Sequence, residues 1–160
     1  MQSNINQHHA YIQLSGLTRA RILEEDEECR PGVACDLAYE VERIAKGNVC
    51  YRYTPRAAHV DHQGTVHRGI LASLLDTAIG SAITTTLSPG SSYTMMDLSI
   101  KFIDSLLPDD QAVLVGARIE HSGRRTCMAE GWLRNDEGRL IAKGTATALI
   151  LKARGATDGH

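Results

Sequence analysis

Residues 66–87 read VHRGILASLLDTAIGSAITTTL and decide the fold, because they carry the longest helical pattern in the chain. Apolar side chains recur at three- and four-residue spacing from Ile70 to Ile83, which is the period of an α-helix. Pro89-Gly90 then ends the pattern. At 1.5 Å per residue such a helix is about 30 Å long, the width of a small domain. A helix that is apolar over most of its circumference predicts that the rest of the chain folds around it.

Both flanks of this helix carry the alternating pattern of β-strands. Residues 37–53 alternate on either side of a Lys46-Gly47-Asn48 hairpin turn, after a lead-in (1–36) in which Tyr11 to Leu17 favour a short helix. Parallel pairs need crossovers of a dozen or more residues, so short turns predict that the four later strands form a meander. We therefore predict an α+β domain, a curved antiparallel sheet wrapped round one helix, with an open edge that favours dimerisation. The later strands are expected at residues 97–103, 113–119, 126–133 and 140–151. A frayed tail is expected at residues 152–160.

Composition indicates one globular domain. The chain has 160 residues, of which 42% are apolar and 22% charged, which suffices for a core. A net charge of −2 gives no reason to expect nucleic acid, and no apolar run approaches the roughly 20 residues that span a bilayer. Because the N-terminus lacks the apolar stretch of a signal peptide, we expect a cytoplasmic protein. The four cysteines form no CxxC pair, so we expect the thiols to be reduced. Residues 24–28 form an acidic run, which we expect to be a solvated face.

A single acid, Asp76, interrupts the apolar helix. Burying a lone carboxylate is expensive unless it has partners or a chemical use. At 100° per residue Asp76 shares one helix face with small residues, so a ligand or another subunit can approach closely. The alternative is an acid that is bonded to a neighbouring Ser or Thr, and composition leaves both possibilities open. The small residues of this face are Gly69, Ala72, Ser73 and Gly80.

The start of the helix, Gly64-Thr65-Val66-His67-Arg68-Gly69, is a second candidate site. The first N–H groups of a helix have no partners within it, and the helix dipole is positive there. Such a terminus can receive an oxyanion, and the flanking glycines permit close backbone approach. On its own this feature indicates no particular reaction.

Together these residues resemble the signature of the PaaI-like hot-dog-fold acyl-CoA thioesterases. The family pattern is Asn-x-x-Gly-x-x-His-Gly-Gly with an acid nine positions after the His, and His67 and Asp76 keep that spacing. The resemblance covers roughly residues 37–151, the expected hot-dog domain. Weaker matches lie at 97–102, 121–124 and 135–138.

The resemblance implies hydrolysis of an acyl-CoA thioester at a subunit interface in a homodimer or homotetramer, without a metal or redox cofactor. Asp76 then matches the nucleophile or the general base for water. Arg68 matches the residue whose backbone N–H binds the thioester carbonyl, with Gly69 beside it. His67 orders the helix start or the thioester, and Thr94 matches a polar residue on the next strand that assists the reaction.

The spacing of the two signature residues supports a shared site. Nine residues correspond to about 900° of helical rotation, so His67 and Asp76 face opposite ways on one regular helix. One site would therefore take His67 and Arg68 from one subunit and Asp76 from the other. The assisting polar residue is Thr94 unless the strand register places Met95 there.

Two positions depart from the family pattern. Arg68 replaces the Gly after the His, and its cation can pair with a substrate carboxylate, a CoA phosphate or Asp61. Asp61 replaces the Asn, and if it lies close to Asp76 one of the two pKa values should rise and give an acid/base pair. Arg124 and Arg125 are candidates for binding CoA phosphates, although a charged hairpin turn explains them equally well.

Other functions fit less well. A non-hydrolytic acyl-CoA-binding module, a sensor or partner protein, would fit the two departures, and release of free thiol separates it from an enzyme. A hot-dog dehydratase needs a paired His and acid, which opposite helix faces make awkward. His59, Asp61, His62 and His67 suit no standard metal-ligand spacing, and GxSxG, GxGxxG and GxxxxGK[ST] strings are absent. The acyl group and the choice between dimer and tetramer stay open.

Overall fold

A computed structural model describes residues 10–25, 30 and 32–152 of the chain. Residues 10–12 of the lead-in are helical, and its longer helix begins at Gly16, near the end of the expected stretch, and continues to Glu25. Cys29 and residues 153–160 of the expected tail lie outside the described residues. The helices are α1 (Gly16–Glu25), α2 (Val33–Leu37) and α3 (Arg68–Thr84). The strands are β1 (Glu40–Ala45), β2 (Asn48–Tyr53), β3 (Ser91–Phe102), β4 (Val113–Ser122), β5 (Thr126–Arg134) and β6 (Leu140–Lys152).

The strands form one six-stranded antiparallel sheet in the order β1-β2-β4-β5-β6-β3. The hot-dog architecture is confirmed, but the expected four-strand meander is wrong for β3, which pairs with β6 rather than β4. The physical reason for this pairing is that the connection between β3 and β4 is not a tight turn. The N–H groups of Ile103 and Asp104 bond the Ile141 carbonyl oxygen, and Leu106 accepts from the Val66 N–H at 2.8 Å. The connection thus crosses the end of the sheet and lets β4 pair with β2.

Helix α3 lies against the concave face of this sheet, and small residues on β5 and β6 let it come close. A Cβ added at Gly131 would lie 3.0 Å from the Ile79 side chain. The apolar face of α3, including Leu74, Leu75 and Ile79, is fully buried. The helix is shorter than the expected 66–87 because His67 caps its start and Thr85 its end. The sheet covers the apolar side of α3 and leaves the Asp76 side exposed.

The first strand begins later than the alternating pattern predicts. Leu37, expected to start a strand, ends α2 and is 1% exposed. Ala38 follows in the left-handed conformation at φ 50°, and its N–H bonds the Cys35 carbonyl oxygen. This cap buries Leu37 and delays β1 to Glu40, so alternation in residues 37–39 was misleading.

Glu24 is buried, which corrects the expectation of solvation for this residue, whereas residues 26–28 of the acidic run lie outside the described residues. Its carboxylate accepts hydrogen bonds of 2.6 Å from the hydroxyls of Tyr39 and Ser81, which joins α1 to α3 and to the start of β1. The Arg30 guanidinium lies over the Tyr39 ring and donates to the Glu24 carbonyl oxygen. Burial and the bond to Glu24 together raise the pKa of Tyr39. The lead-in is therefore anchored to the core by one buried carboxylate.

We expect Glu24→Ala to lower the free energy of unfolding by about 2–4 kcal/mol, because two buried hydroxyls lose their acceptor. Urea unfolding at a fixed protein concentration measures the change. Glu120→Ala removes an exposed carboxylate and should change the stability by less than about 0.5 kcal/mol. Equal stability of both variants would contradict the anchoring role.

Strand β3 forms one edge of the sheet and is 12 residues long. On one side it pairs with β6, and on the other side it pairs with no strand among residues 32–152. Large apolar side chains are exposed along it or just beyond it, with Met96 63% and Ile103 56% exposed. An edge of this length and character is a surface on which another strand can pair.

Candidate active site on the central helix

His67 caps the N-terminus of α3. Its backbone is extended at φ −56° and ψ 132°, and its ring Nδ1 accepts a 2.8 Å hydrogen bond from the Gly69 N–H. The backbone N–H of His67 donates to the His59 carbonyl oxygen at 2.8 Å, so the cap is also held by the preceding loop. Because Nδ1 is an acceptor, the neutral ring carries its proton on Nε2. The exposed ring therefore offers an Nε2–H donor.

The backbone N–H of Arg68 is the open donor at this terminus. Among the described residues nothing accepts a hydrogen bond from it, whereas the Ile70 N–H donates to the His67 carbonyl oxygen at 2.9 Å. The Gly69 N–H is occupied by the His67 ring. Of the two amides considered for an oxyanion, that of Arg68 is thus available and that of Gly69 is not. The dipole of α3 adds positive potential at the same point.

The side chain of Arg68 is exposed and lies near the end of β3. Its guanidinium carbon is 6.0 Å from the centre of the Phe102 ring. Within the described chain it forms no ion pair with Asp61, one of the three partners considered for it. The cation therefore remains available to a ligand.

Asp61 holds its own loop together. Its carboxylate accepts from the Gln63 N–H at 2.9 Å, the Thr65 N–H at 3.2 Å and the Thr65 hydroxyl. Desolvation raises the pKa of this carboxyl, but these donors outweigh it and hold the pKa below its ordinary value. The amide oxygen of the family's Asn can accept the same bonds. Within one chain Asp61 therefore forms no acid/base pair with Asp76.

Asp76 lies on the side of α3 that the sheet leaves uncovered. We call this side, formed by Gly69, Ala72, Ser73 and Asp76, the open face; its residues are exposed or partly exposed. The Ser73 hydroxyl donates to the Gly69 carbonyl oxygen, and no group in the described chain hydrogen-bonds the Asp76 carboxylate. Partial burial nevertheless raises the pKa of the Asp76 carboxyl. The alternative of an acid bonded to a neighbouring Ser or Thr does not hold.

Tyr93 on β3 borders the open face, and sequence reasoning missed it. Its hydroxyl oxygen would be 2.4 Å from a Cβ added at Gly80, one helical turn beyond Asp76. Burial raises the pKa of this phenol, Asp76 raises it further, and the Thr84 hydroxyl lowers it, so Tyr93 is protonated at neutral pH. Gly80 thus accommodates a side chain of its own chain. The signal was the alternation of β3 combined with a glycine on the facing helix.

Thr94 lies on the opposite face of β3 from this site. Its neighbours Tyr93 and Met95 pack against the core, and Thr94 itself is exposed, as alternation requires. A β-bulge follows between Met95 and Asp97. One chain therefore does not bring Thr94 and Asp76 together, and an assisting role for Thr94 stays a prediction.

Arg124 and Arg125 line a cleft of about 280 Å³ together with Ile150 and Lys152. We call this the basic cleft. The Arg125 carbonyl oxygen accepts from the Ile150 N–H at 2.8 Å, which ties the β4–β5 turn to β6. Lys152 lies opposite Ser91, at the far end of β3 from Phe102. Within one chain the basic cleft is therefore near the C-terminus of α3 and apart from His67.

The histidines that were considered as metal ligands beside His67 lie near other side chains of the loop before α3. His59 Nδ1 is 2.8 Å from the Tyr53 hydroxyl. In residues 10–25, 30 and 32–152 no group of three or more His, Cys, Asp or Glu side chains is arranged to hold a metal ion. The thiols of Cys35, Cys50 and Cys127 are free. None of the described helices has the length and apolar character needed to cross a membrane.

Comparison with known proteins agrees with this fold. The model of the thioesterase superfamily matches residues 63–142, half of the chain. That range includes His67, Asp76 and Thr94 but not Asp61. No functionally curated protein matches the chain.

Several solved structures are similar. The E. coli PaaI protein from the phenylacetic acid degradation operon has a TM-score of 0.75 over 87% of this chain and 98% of its own, at 19% identity. A phenylacetic acid degradation-related protein from Ralstonia eutropha JMP134 is 28% identical over 81% of this chain and 97% of its own, with a TM-score of 0.69. A hypothetical thioesterase from Streptococcus pneumoniae TIGR4, solved with coenzyme A, is 26% identical over 72% and 88%, with a TM-score of 0.66.

Proposed function

Because the chain belongs to the thioesterase superfamily, we propose that it hydrolyses the thioester bond of an acyl-CoA to a free acid and CoA. The observation that carries the proposal is the Asp76 carboxylate, which lies on the open face, has no hydrogen-bond partner in the described chain and has a raised pKa. The coenzyme A in the similar Streptococcus pneumoniae structure supports the CoA part of the substrate. No metal or redox cofactor is needed for this reaction.

Asp76 can attack the substrate through water or directly. As a base it takes a proton from water, whose oxygen attacks the carbonyl carbon; the tetrahedral intermediate then expels the CoA thiolate, which takes up the proton as the C–S bond breaks. As a nucleophile the carboxylate displaces CoA and forms a mixed anhydride, which water then hydrolyses. Burial raises the pKa of Asp76, which makes its carboxylate both a stronger base and a stronger nucleophile, so the proposal includes both routes.

We infer that a homodimer completes the site through the free edge of β3. Antiparallel pairing of two β3 strands about their midpoint sets Phe102 of the partner subunit opposite Ser91. Arg68 lies near Phe102 in its own chain. The charge of Asp76 raises the pKa of Tyr93 in its own chain, so these two residues are also neighbours. Because Tyr93 is close to Ser91 along β3, this pairing carries the N–H of the partner's Arg68 toward Asp76. The thioester oxyanion would bind there, beside the Nε2–H of the partner's His67.

The same pairing gives the basic cleft a role. Lys152 lies opposite Ser91 in its own chain, so the pairing sets the basic cleft beside the partner's helix N-terminus. Arg124, Arg125 and Lys152 are then placed to bind CoA phosphates, with the exposed cation of the partner's Arg68 close to them. The proposal includes a homodimer or a homotetramer built from it, in the cytoplasmic location expected from the sequence.

A panel of short-chain, long-chain and aromatic acyl-CoAs tests the proposal by release of free thiol. We expect turnover of at least one class, and sedimentation should show an oligomer. Calorimetry with a non-hydrolysable CoA thioether measures binding separately. Tight binding without thiol release from any acyl-CoA would contradict hydrolysis and indicate the acyl-CoA-binding module instead.

The pH dependence should report the ionisation of Asp76. Only the deprotonated carboxylate can act as base or nucleophile, so kcat/KM falls as the pH drops through the pKa of Asp76. Because burial raises that pKa, the acid limb should lie at a higher pH than for a freely exposed aspartate. Thiol release at several pH values measures the limb, with circular dichroism to exclude unfolding. A rate independent of pH over the whole acid range in which the protein stays folded would contradict the assignment.

A further inference from the structure

We propose that Tyr93 limits the length of the acyl group, so that the substrates are acyl-CoAs with short acyl chains or a single ring. The inference rests on the proposed function, because it takes Asp76 as the group that reacts with the thioester. It adds a specificity-determining residue and a substrate class that the thioesterase assignment leaves open.

The open face of α3 ends at Tyr93. From Gly69 to Asp76 the residues of this face are exposed or partly exposed, whereas Gly80 is buried. The group that covers Gly80 is the Tyr93 hydroxyl, which would be 2.4 Å from a Cβ at that position. A molecule lying along the open face therefore meets the phenol one helical turn beyond Asp76.

The two sides of Asp76 offer unequal room. Toward Gly69 the face continues for about 10 Å and reaches the exposed start of α3. Toward Gly80 it ends after one turn, about 6 Å. The CoA part of the substrate is long and charged and must extend to solvent, so it takes the side toward Gly69. The acyl group is left with the short side, which has room for about four or five carbons beyond the carbonyl or for one six-membered ring.

The side chain of Tyr93 is packed firmly enough to block a longer acyl chain. Its ring packs against the core on the inner face of β3, and its cross-strand neighbour Ile150 packs there as well. The Thr84 hydroxyl interacts with the phenol, and burial keeps the phenol protonated. A longer acyl chain could pass only by displacing a side chain that is already packed, which is costly in a close-packed interior.

Truncation of the Tyr93 side chain tests the inference. Thiol release is measured for saturated acyl-CoAs from two to twelve carbons with the full-length protein and with Tyr93→Ala, Tyr93→Phe and Ile119→Ala. For the unmodified chain we expect kcat/KM to peak at about four to six carbons and to fall at least about tenfold by ten carbons. Tyr93→Ala should raise the ratio of decanoyl to butyryl turnover by at least about tenfold. Tyr93→Phe keeps the ring and should keep the preference within about threefold.

Ile119→Ala is the matched control, because Ile119 is a partly buried apolar residue that packs against the core and contacts the Gly47 region. It should leave the preference unchanged. Equal turnover of short and long chains by the unmodified protein, or the same ratio in Tyr93→Ala, would overturn the inference. If acyl-CoAs are hydrolysed and Asp76→Asn is inactive in that case, the proposed function stands and only the role of Tyr93 fails. If no acyl-CoA is hydrolysed, the proposed function fails and this inference fails with it.

Discussion

Replacing Asp76 by asparagine is expected to lower kcat for acyl-CoA hydrolysis by about 10³-fold or more. An amide of the same shape can neither take a proton from water nor form the anhydride, and general-base catalysis alone contributes about 10²–10⁴-fold. Thiol release under saturating substrate measures the loss. Asp109→Asn makes the same change at an exposed turn residue and should retain full activity.

Stability separates a catalytic effect from misfolding. Burial raises the pKa of Asp76, so the native state holds this proton more tightly than the unfolded chain does. Stability contributed by this group therefore falls as the pH rises through the window between the unfolded and folded pKa. At neutral pH the uncharged Asp76→Asn should be at least as stable as the parent, as urea unfolding can show. An inactive variant that is also unfolded would leave the catalytic assignment without support, and an active one would contradict it.

The second large effect is expected for Arg68→Pro, which removes one backbone N–H. Proline is favoured at the first position of a helix, and it requires an extended residue before it. His67 already has that conformation at φ −56° and ψ 132°. Arg68→Ala loses the same side chain but keeps the N–H. We expect kcat of Arg68→Pro to be about 10²–10³-fold below that of Arg68→Ala, the usual effect of removing one oxyanion donor.

Mixing the two inactive variants tests whether the site is shared. In a heterodimer of Arg68→Pro and Asp76→Asn, one site combines an intact Asp76 with an intact partner N–H, and the other site has neither. Random exchange of subunits should therefore restore about a quarter of the parent activity. Each variant alone is the control. No recovery in a mixture whose exchange is verified by mass spectrometry would place both groups in one chain or exclude the N–H from the reaction.

Local patterns predicted most of the fold. The central helix and the strand pairs β4–β5 and β5–β6 follow from periodicity and from turn residues that are close in sequence. The position of β3 does not follow, because Ile103 and Asp104 bond Ile141 of a distant strand. Glu24 was misassigned because an acidic run predicts a solvated surface, whereas two distant hydroxyls make burial tolerable.

The candidate site was predictable in part. The spacing of His67 and Asp76 singled out the helix, but the occupied Gly69 N–H depends on the rotamer of the His67 ring, which no sequence pattern reports. Tyr93 and Thr94 are neighbours on opposite faces of β3, and choosing between them needs the strand register. The replacement of the family's Asn by Asp61 suggested a second acid in the reaction. Its hydrogen bonds to the N–H groups of Gln63 and Thr65 show instead that it stabilises its own loop.

The bare side of β3 has a consequence for how the protein is produced. This strand is twelve residues long, and the edge that faces away from β6 presents unpaired backbone N–H and C=O groups beside the exposed Met96, which makes it prone to pair with other chains. A newly synthesised chain that dimerises through this edge covers it, whereas a chain that stays monomeric keeps the edge exposed and can aggregate. Mutations that keep protomers apart would then show themselves as inclusion bodies before any assay of turnover is possible.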